Sequence, residues 1–431
     1  MKIKFLTHII ILFGFLTPNV FDGYTLYTSE PNYTTYLIDN DLNVINEWYA
    51  DCQPASMAYL QPDSTLIYPC KQDNPIIPVT AASGGRIIHY DWNGTILWDW
   101  VCDWEYQLHH DIEPTPDGTI LAIAKEDIDG FMPDVILEIE PNGIHGANLV
   151  WVWKVSEHMG ELDNPYTFYE DADYHINDWN HFNTVSLNEY EEILLSSRNW
   201  SEIYIIPWDW GDGKILYRWG NPQNYGRGDS TDQILFAQHG VNEIPIGYPG
   251  EENIILFNNN SRMGMENDTS EVIEFRPPIE EDYIYVEDPT GYWNIFSRYY
   301  IEDGEPFGPT EPIWTFRDTF YAPKQSGAFR LPNGNTFVTV AGGNMFEVTY
   351  DKEIVWEHTG SSNTFRAQKY GLDYLTLSGD INHDGIVNVI DIVMVVNYIL
   401  DGLYNTEGDV NEDGVLNILD IVILTTLILG V

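Results

Sequence analysis

One phrase recurs six times along this chain and constrains its fold more than any other feature: a short β-type run, an acidic or glycine turn, a second run, and then tryptophan. It reads Tyr36-Leu37-Ile38-Asp39 to Trp48, Ile88-His89-Tyr90-Asp91 with Asn93-Gly94 to Trp98, and Leu137-Glu138-Ile139-Glu140 with Asn142-Gly143 to Trp151 or Trp153. It returns as Ile203-Tyr204-Ile205-Ile206 with Asp212-Gly213 to Trp219, as Val272-Ile273-Glu274-Phe275 with a long insertion to Trp314, and as Phe346-Glu347-Val348 with Asp351 to Trp356. A second phrase follows most copies, a strand, a Pro/Asp/Asn-Gly turn and another apolar strand, as in Leu60-Gln61-Pro62-Asp63, Pro114-Thr115-Pro116-Asp117-Gly118 and Leu331-Pro332-Asn333-Gly334. Two hairpins per repeat make a four-stranded antiparallel sheet, and six such sheets set radially protect their edges by closing on themselves. The expectation is an all-β six-bladed β-propeller over residues 24–377. The strands of a β-sandwich would not repeat as pairs of hairpins with tryptophan at one fixed place.

The second phrase carries chemistry. Seven residues before its turn stand Ser56 (from Asp63), His110 (from Asp117), His181 (from Asn188) and Ser326 (from Asn333). His239 takes the same place in Gln238-His239-Gly240-Val241-Asn242-Glu243, where an insertion from Gly247 to Glu252 lengthens the turn. With 11 histidines in 431 residues, three in one register among five repeats arise by chance with odds on the order of 10⁻³. Equivalent positions on inner strands converge on the propeller channel, whereas His109, one residue before His110, is expected on the opposite face of its strand. Two chemistries suit three convergent imidazoles: a three-histidine site for zinc or copper, or a nucleophile with cationic clamps for an anionic group. Arg198, in Leu194-Leu195-Ser196-Ser197-Arg198-Asn199, ends the strand after His181's turn. An arginine hinders a metal and helps an anion.

Lys+Arg of 19 against Asp+Glu of 67 gives a net charge of −48, which repels nucleic acid and anionic membranes. Met1-Lys2-Ile3-Lys4 followed by an apolar run from Ile9 to Leu16 reads as a secretory signal, assigned to residues 1–23 with cleavage between Thr17 and Thr25. The run is too short to span a bilayer. Cys52, Cys70 and Cys102 leave at least one thiol unpaired; Cys70 can reach either of the others, and the pairing stays open.

Residues 379–431 read differently. Asp380-Ile381-Asn382-His383-Asp384-Gly385-Ile386-Val387-Asn388-Val389-Ile390-Asp391 and Asp409-Val410-Asn411-Glu412-Asp413-Gly414-Val415-Leu416-Asn417-Ile418-Leu419-Asp420 are two copies of one acidic loop. Each offers side-chain oxygens at positions 1, 3, 5, 9 and 12, a carbonyl at position 7 (Ile386, Val415) and glycine at 6, which is the ligand set of a calcium loop. Two calcium ions are expected. One apolar helix follows each loop, Ile392 to Leu400 and Ile421 to Leu429, again too short to cross a membrane. With aspartate at position 12, this segment resembles the type I dockerin module. The resemblance implies docking onto a cohesin-bearing partner through loop positions 10 and 11, Val389-Ile390 and Ile418-Leu419, and hence a hydrophobic contact.

The larger part also resembles a family. Asp178-Trp179-Asn180-His181-Phe182-Asn183-Thr184-Val185, then Ile193 to Asn199, then Gln238-His239 followed by Ile254 to Asn260 are similar to the bacterial arylsulfotransferases that need no nucleotide donor, over roughly residues 35–377. The family fold is a six-bladed propeller. The resemblance implies sulfuryl transfer from a phenolic sulfate ester to a phenol acceptor through a sulfohistidine, with no nucleotide cofactor. By motif position His239 would be the nucleophile, and His110, His181 and Arg198 would hold the sulfate oxygens. Phe182, Thr184 and Asn258 depart from the residues commoner in the family. The alternatives are a non-catalytic propeller binding a sulfated or carbohydrate ligand in the same channel, and a quinone-cofactor dehydrogenase, against which the in-register histidines argue.

Overall fold

In the first two copies of the first phrase, the turn that links the two runs is built by its acidic residue. Asp39 Oδ1 accepts the N–H groups of Asp41 and Asn43 at 2.9 and 2.8 Å, and Asp91 Oδ1 accepts those of Asn93 and Thr95 at 2.9 and 2.7 Å. A side-chain carboxylate thereby replaces backbone partners in the tight reversal, and the flanking β-branched and aromatic residues extend into strands. In a computed structural model, the structure describes residues 19–29, 32–77, 82–169, 176–208, 213–260, 269–287, 294–360, 364–375, 379–382, 387–411 and 414–429.

Six four-stranded antiparallel sheets form a six-bladed β-propeller. The second blade holds Tyr59–Leu60, Leu66–Lys71, Gly85–Tyr90 and Ile96–Val101, running outward from the channel, and the third Gln107–Pro114, Ile120–Lys125, Asp134–Asn142 and Gly146–Lys154. The fourth holds Phe182–Leu187, Glu192–Ser197, Glu202–Pro207 and Tyr217–Trp219; the fifth His239–Glu243, Ile254–Asn258, Glu271–Phe275 and Trp314–Phe316; the sixth Gly327–Arg330, Thr336–Val340, Asn344–Val348 and Ile354–Thr359. The first blade is assembled from both ends of the propeller. Its inner strand, Ala367–Gly371, pairs with Gly23–Ser29, from Gly23 opposite Gly371 to Tyr27 opposite Ala367, and Thr34–Ile38 and Val44–Tyr49 complete it. Because Gly23 already lies in this strand, ordered structure begins before residue 24.

Blades stack face to face, so middle strands are buried on both sides and read as unbroken apolar runs such as Ile203-Tyr204-Ile205-Ile206. Between the fourth and fifth blades, Trp219 stacks on Phe275 with 3.8 Å between ring centres.

The repeat tryptophans tie each blade to the next. Every indole N–H donates to a backbone carbonyl of the following blade: Trp48 to Asp91 at 2.9 Å, Trp98 to Gly146 at 2.8 Å, Trp153 to Gly213 at 2.7 Å, Trp219 to Pro309 at 2.7 Å, Trp314 to Tyr350 at 2.8 Å, and Trp356 back to Asn40 at 3.0 Å. In the third copy this decides for Trp153, which is buried, over the half-buried Trp151. Gly213 has φ of +73°, and a Cβ there would lie 3.1 Å from the Trp153 ring, so glycine is required twice over. The insertion in the fifth blade forms a hairpin, Ile279–Glu287 with Asn294–Tyr299, whose Tyr299 hydroxyl donates to Glu192 of the fourth blade at 2.6 Å.

Cys52 pairs with Cys70, and Cys102 is a buried free thiol pushed up to about 11 by burial. Past the propeller, two helices, α1 (Val389–Asp401) and α2 (Ile418–Leu429), pack around Ile381, Val395 and Leu424. Both start three residues earlier than the apolar pattern suggests, because Asn388 caps α1: its side chain accepts Ile390 N–H while Asp391 accepts Asn388 N–H. Among the described residues no helix is long and apolar enough to cross a membrane.

Replacing Trp153 with phenylalanine removes the indole donor and leaves Gly213 O unpaired, so stability should fall by about 1–3 kcal/mol. Trp151→Phe should cost markedly less, and urea unfolding of the two variants measures the difference.

Candidate active site

The inner strands do not run straight into the channel. His110, His181 and Ser326 have φ of +56°, +52° and +83°, and Gly240, next to His239, has +67°. Left-handed backbone at non-glycine residues costs about 1–2 kcal/mol each and persists only where the surroundings impose it. At each histidine the strand pairing also skips, between Leu108 and Ile112, between Phe182 and Thr184, and between His239 and Asn242. The kink turns the register position toward the axis.

Ser56, His110, His239, Ser326, Thr184 and Arg366 line one small cavity of about 20 Å³. That space holds about one water-sized group. The His181 ring lies beside it, 4.7 Å from His110 centre to centre. Arg198 follows strand Glu192–Ser197, half-buried, with its N–H donated to His181 O at 3.0 Å. The structure thus brings together the three histidines that share a register, with Arg198 close enough for its charge to act on His239.

Each imidazole has its Nδ1 committed to the protein. His239 Nδ1 lies 2.7 Å from Asn259 Oδ1 and 3.1 Å from Ala237 O. Asn259 Nδ2 donates to Ala322 O and Gln325 O at 2.8 and 2.9 Å, so its oxygen must face His239 and the hydrogen sits on Nδ1. Burial, with the charges of His181 and Arg198, pulls His239 down to about 3 against the opposing Asn259 bond. His239 is therefore neutral with Nε2 unprotonated. His181 Nδ1 lies 2.7 Å from Asp178 Oδ2, and Lys125 holds Asp178 Oδ1 at 2.7 Å. Burial pushes the Asp178 carboxyl up, but His181 and Lys125 more than offset it and hold it below its usual range.

His110 Nδ1 meets His109 Nδ1 at 2.7 Å. The expectation that His109 points away from His110 is wrong: the positive φ of His110 and the bulge beside it break the alternation that a regular strand would impose. Among the described residues no cluster of three or more His, Cys, Asp or Glu side chains is arranged to hold a metal, which goes against the three-histidine metal reading.

In the C-terminal module, Asp380, Asp391, Asp409 and Asp420 are buried. Asp391 accepts Ile381 and Asn388 N–H, both at 2.8 Å, and Asp420 Oδ2 accepts Asn417 N–H at 2.7 Å, while Asp420 Oδ1 is buried without a partner. The segment 379–431 contains no lysine or arginine. Four buried carboxylates with no lysine or arginine in their own segment, one with an orphaned oxygen, fit a divalent cation. Asn382, Asn388, Asn411, Val415 and Asn417 are also described; Asp384, Ile386 and Asp413 lie outside the described residues.

A profile of the arylsulfotransferase (ASST) family matches residues 24–371, and one of the dockerin type I domain matches residues 378–429. The chain belongs to the arylsulfotransferase family. No curated protein matches it. Among solved structures it is similar to BamB from Moraxella catarrhalis (11% identity, 81% of this chain and 79% of that one covered, TM-score 0.36). It is also similar to a protein from Lactobacillus plantarum (10%, 81% and 99%, 0.44) and to a catalytically inactive virginiamycin B lyase from Staphylococcus aureus (10%, 81% and 84%, 0.37).

Several residues of this arylsulfotransferase-family site escaped sequence reasoning. Asn259 stands two places beyond Phe257, the strand partner of His239, and the hairpin register alone could have found it. Asp178 stands three before His181. Arg366 enters beside the inner strand of the split first blade, whose second-phrase turn does not exist, so no count from a turn could reach it. Its guanidinium bonds Asp111 Oδ1 at 2.6 Å and Tyr59 Oη at 2.7 Å, and it separates the small cavity from one of about 370 Å³ at the other end of the channel. Of the departures from the family pattern, Thr184 lines the cavity and accepts Gly240 N–H at 2.8 Å. Asn258 accepts Phe236 N–H at 2.8 Å and steadies the approach to His239, and Phe182 is buried beside Trp153.

The histidines make stability depend on pH. His239, His109 and His110 are all held below the ordinary value of 6.5, chiefly by burial. Between 6.5 and the depressed values the unfolded chain binds protons that the folded chain does not, so their contribution is lost as pH falls. Glu113, pushed up to about 8, and Glu243, to about 7, both chiefly by burial, act in the opposite sense. The decisive quantity is therefore a difference: His239→Asn should lose less stability than wild type between pH 7 and pH 5 in urea unfolding.

Proposed function

We propose that this chain is an exported aryl-sulfate sulfotransferase that moves a sulfuryl group from a phenolic sulfate ester to a phenol through a sulfohistidine at His239. The observation that carries this reading is the His239 tautomer: Nδ1–H bound to Asn259, Nε2 bare, beside a small cavity that His110 also lines. A neutral imidazole with its lone pair aimed at sulfur is the nucleophile this reaction needs.

As Nε2 forms its bond to sulfur, the S–O bond of the ester breaks and the electron pair leaves with the phenol oxygen. Asn259 and Ala237 O accept the Nδ1–H of the ring as it becomes cationic. Charge builds on the outer oxygens of the SO₃ group in flight, and fixed cations lower that barrier most effectively in a dry site. Arg198 supplies one. His181, held at Nδ1 by Asp178, turns its other ring nitrogen toward the same group. An anion approaching a protein of net charge −48 needs such a local positive field.

The dockerin is the address. Two calcium ions, one per loop, would be held by Asp380, Asn382, Asp384, Ile386, Asn388 and Asp391, and by Asp409, Asn411, Asp413, Val415, Asn417 and Asp420. Docking onto a cohesin-bearing partner would use Val389, Ile390, Ile418 and Leu419, which are 53–65% exposed. Export is supported by the disulfide and by the signal-like residues ahead of the propeller. We place the cut before Asn19, because Asn335 Nδ2 bonds Asn19 O at 2.9 Å and Phe21 N–H bonds Glu347 at 2.7 Å.

Purified protein given 4-nitrophenyl sulfate and phenol should release 4-nitrophenol and form phenyl sulfate. His239→Ala should abolish both, and mass spectrometry of wild type given donor alone should find one added SO₃ on His239. Unchanged transfer by the variant sinks the mechanism. Chelation with EDTA should unfold residues 379–429, seen as loss of amide-exchange protection there, while propeller protection persists.

A further inference from the structure

Of the three channel histidines, His110 is the one whose Nδ1 faces another imidazole. His109 Nε2 lies 3.1 Å from Asp134 Oδ1, and His109 Nδ1 lies 2.7 Å from His110 Nδ1. A carboxylate can only accept, so the hydrogen of neutral His109 sits on Nε2 and its Nδ1 accepts. The hydrogen between the two rings then belongs to His110, and His110 Nε2 is bare.

Asp134 has no freedom to do otherwise. Its Oδ2 accepts Phe182 N–H, its own N–H donates to the buried Asn180 Oδ1 at 2.9 Å, and Lys125 Nζ stands 3.2 Å from Oδ1. The side chains of Asp134 and His109 are both fully buried. Burial pushes the Asp134 carboxyl up, but Lys125, His109 and Phe182 N–H more than offset it and keep it ionised. Burial, and then the charges of His181, His109, His239 and Lys125, hold His110 well below its ordinary value. In the resting site the Nε2 of His110 is therefore bare, as is that of His239. A neutral clamp for a sulfate oxygen would need its hydrogen on Nε2, and the groups behind His110 place that hydrogen on the other nitrogen.

We propose that Asp134 and His109 are positioning residues that fix His110 with an unprotonated Nε2, and that His110 exchanges the phenol proton during sulfuryl transfer. The inference rests on the transfer reaction proposed above. In the acceptor step the phenol O–H faces His110 Nε2. The phenol oxygen forms a bond to sulfur, the S–N bond to His239 breaks with its electron pair returning to Nε2, and the phenol proton moves to His110 Nε2. Neutral phenol, zwitterionic sulfohistidine and neutral His110 become aryl sulfate anion, neutral His239 and His110 imidazolium, so net charge stays at zero. The imidazolium is stabilised on one side by the new anion and on the other, through His109, by Asp134. The donor step is the reverse: His110, protonated as the anionic ester binds, returns the proton to the leaving phenol oxygen as the S–O bond breaks.

Proton donation matters most for a basic leaving group. 4-Methylphenyl sulfate expels a basic phenolate, and 4-nitrophenyl sulfate a far weaker base that leaves unaided. In Asp134→Asn, Phe182 N–H holds the amide oxygen and the NH₂ group faces His109 Nε2. His109 must then carry its hydrogen on Nδ1, and His110 is forced to the Nε2–H tautomer. The full chain with ¹⁵N-labelled histidine should show His110 with bare Nε2 in wild type and protonated Nε2 in Asp134→Asn. kcat/KM of the variant should fall about 100-fold with 4-methylphenyl sulfate and by less than about threefold with 4-nitrophenyl sulfate. A wild-type spectrum with His110 protonated at Nε2 overturns the inference, and this measurement decides alone if Asp134→Asn does not fold. Equal losses on both donors mean that Asp134 is merely structural, and also overturn it. Wild type that transfers from neither donor removes the reaction itself, a failure distinct from transfer by wild type with equal losses in the variant.

Discussion

Six indole N–H groups, each donated to a carbonyl of the next blade, set the spacing on which the rest of the propeller depends. A blade alone is a twisted four-stranded sheet with two apolar faces and cannot persist in water. Each needs a neighbour on both sides, and a linear stack would always leave two faces bare. Closing the ring removes them. The closing contact joins residues far apart in sequence, but the entropy of loop closure grows only with the logarithm of length, so a long chain is little worse than a short one. The strand Ala367–Gly371, laid against Gly23–Ser29, offsets that cost with a ladder of backbone bonds and a buried face. The last indole bond, Trp356 to Asn40, spans the same seam.

Closure also positions the chemistry. His110, His181 and His239 come from the third, fourth and fifth blades and Arg366 from the first, so no single sheet contains the site. Relative positions across blades are as fixed as the ring, and a rigid scaffold is what short-range charge stabilisation requires. Strain is confined to the inner-strand kinks, where positive φ at His110, His181 and Ser326 turns side chains toward the axis. Behind the kinks each imidazole is oriented by a buried partner: Asn259, Asp178, or His109 with Asp134 behind it. The carboxylates neutralise part of the positive charge gathered there, which lets a cluster of histidine, lysine and arginine remain buried.

The repeat, the shared histidine register and the duplicated loop were legible because each is a periodic signal, and periodicity survives without knowledge of contacts. What the sequence did not reveal depends on departures from periodicity. His109 was misplaced because alternation along a strand assumes regular pleating, and the bulge at His110 suspends it. Asp134 is 25 residues from His109 and reaches it only through the strand pairing of one blade. Arg366 was missed because the first blade is split between two ends of the propeller, so its inner strand lacks the turn from which the register was counted. The choice of Cys52 over Cys102 as partner for Cys70 turns on side-chain direction, which spacing does not encode.

The C-terminal module shows the same economy on a smaller scale, because its buried aspartates and its exposed apolar face share the first turn of each helix. Asp391 closes the first loop and is also the third residue of α1, accepting Asn388 N–H as half of the helix cap. Asp420 does the same for α2 through Asn417 N–H. Immediately between cap and loop-closing aspartate stand Val389-Ile390 and Ile418-Leu419, apolar residues held in solvent at the first turn of each helix. An exposed apolar pair at a helix start carries an ordering cost that propensity alone does not cover, so some other interaction must fix that turn. The buried charge of Asp391 and Asp420 is met by backbone N–H groups of the loop and the cap. The buried aspartates and the display of the apolar face thus depend on the same first turn of each helix.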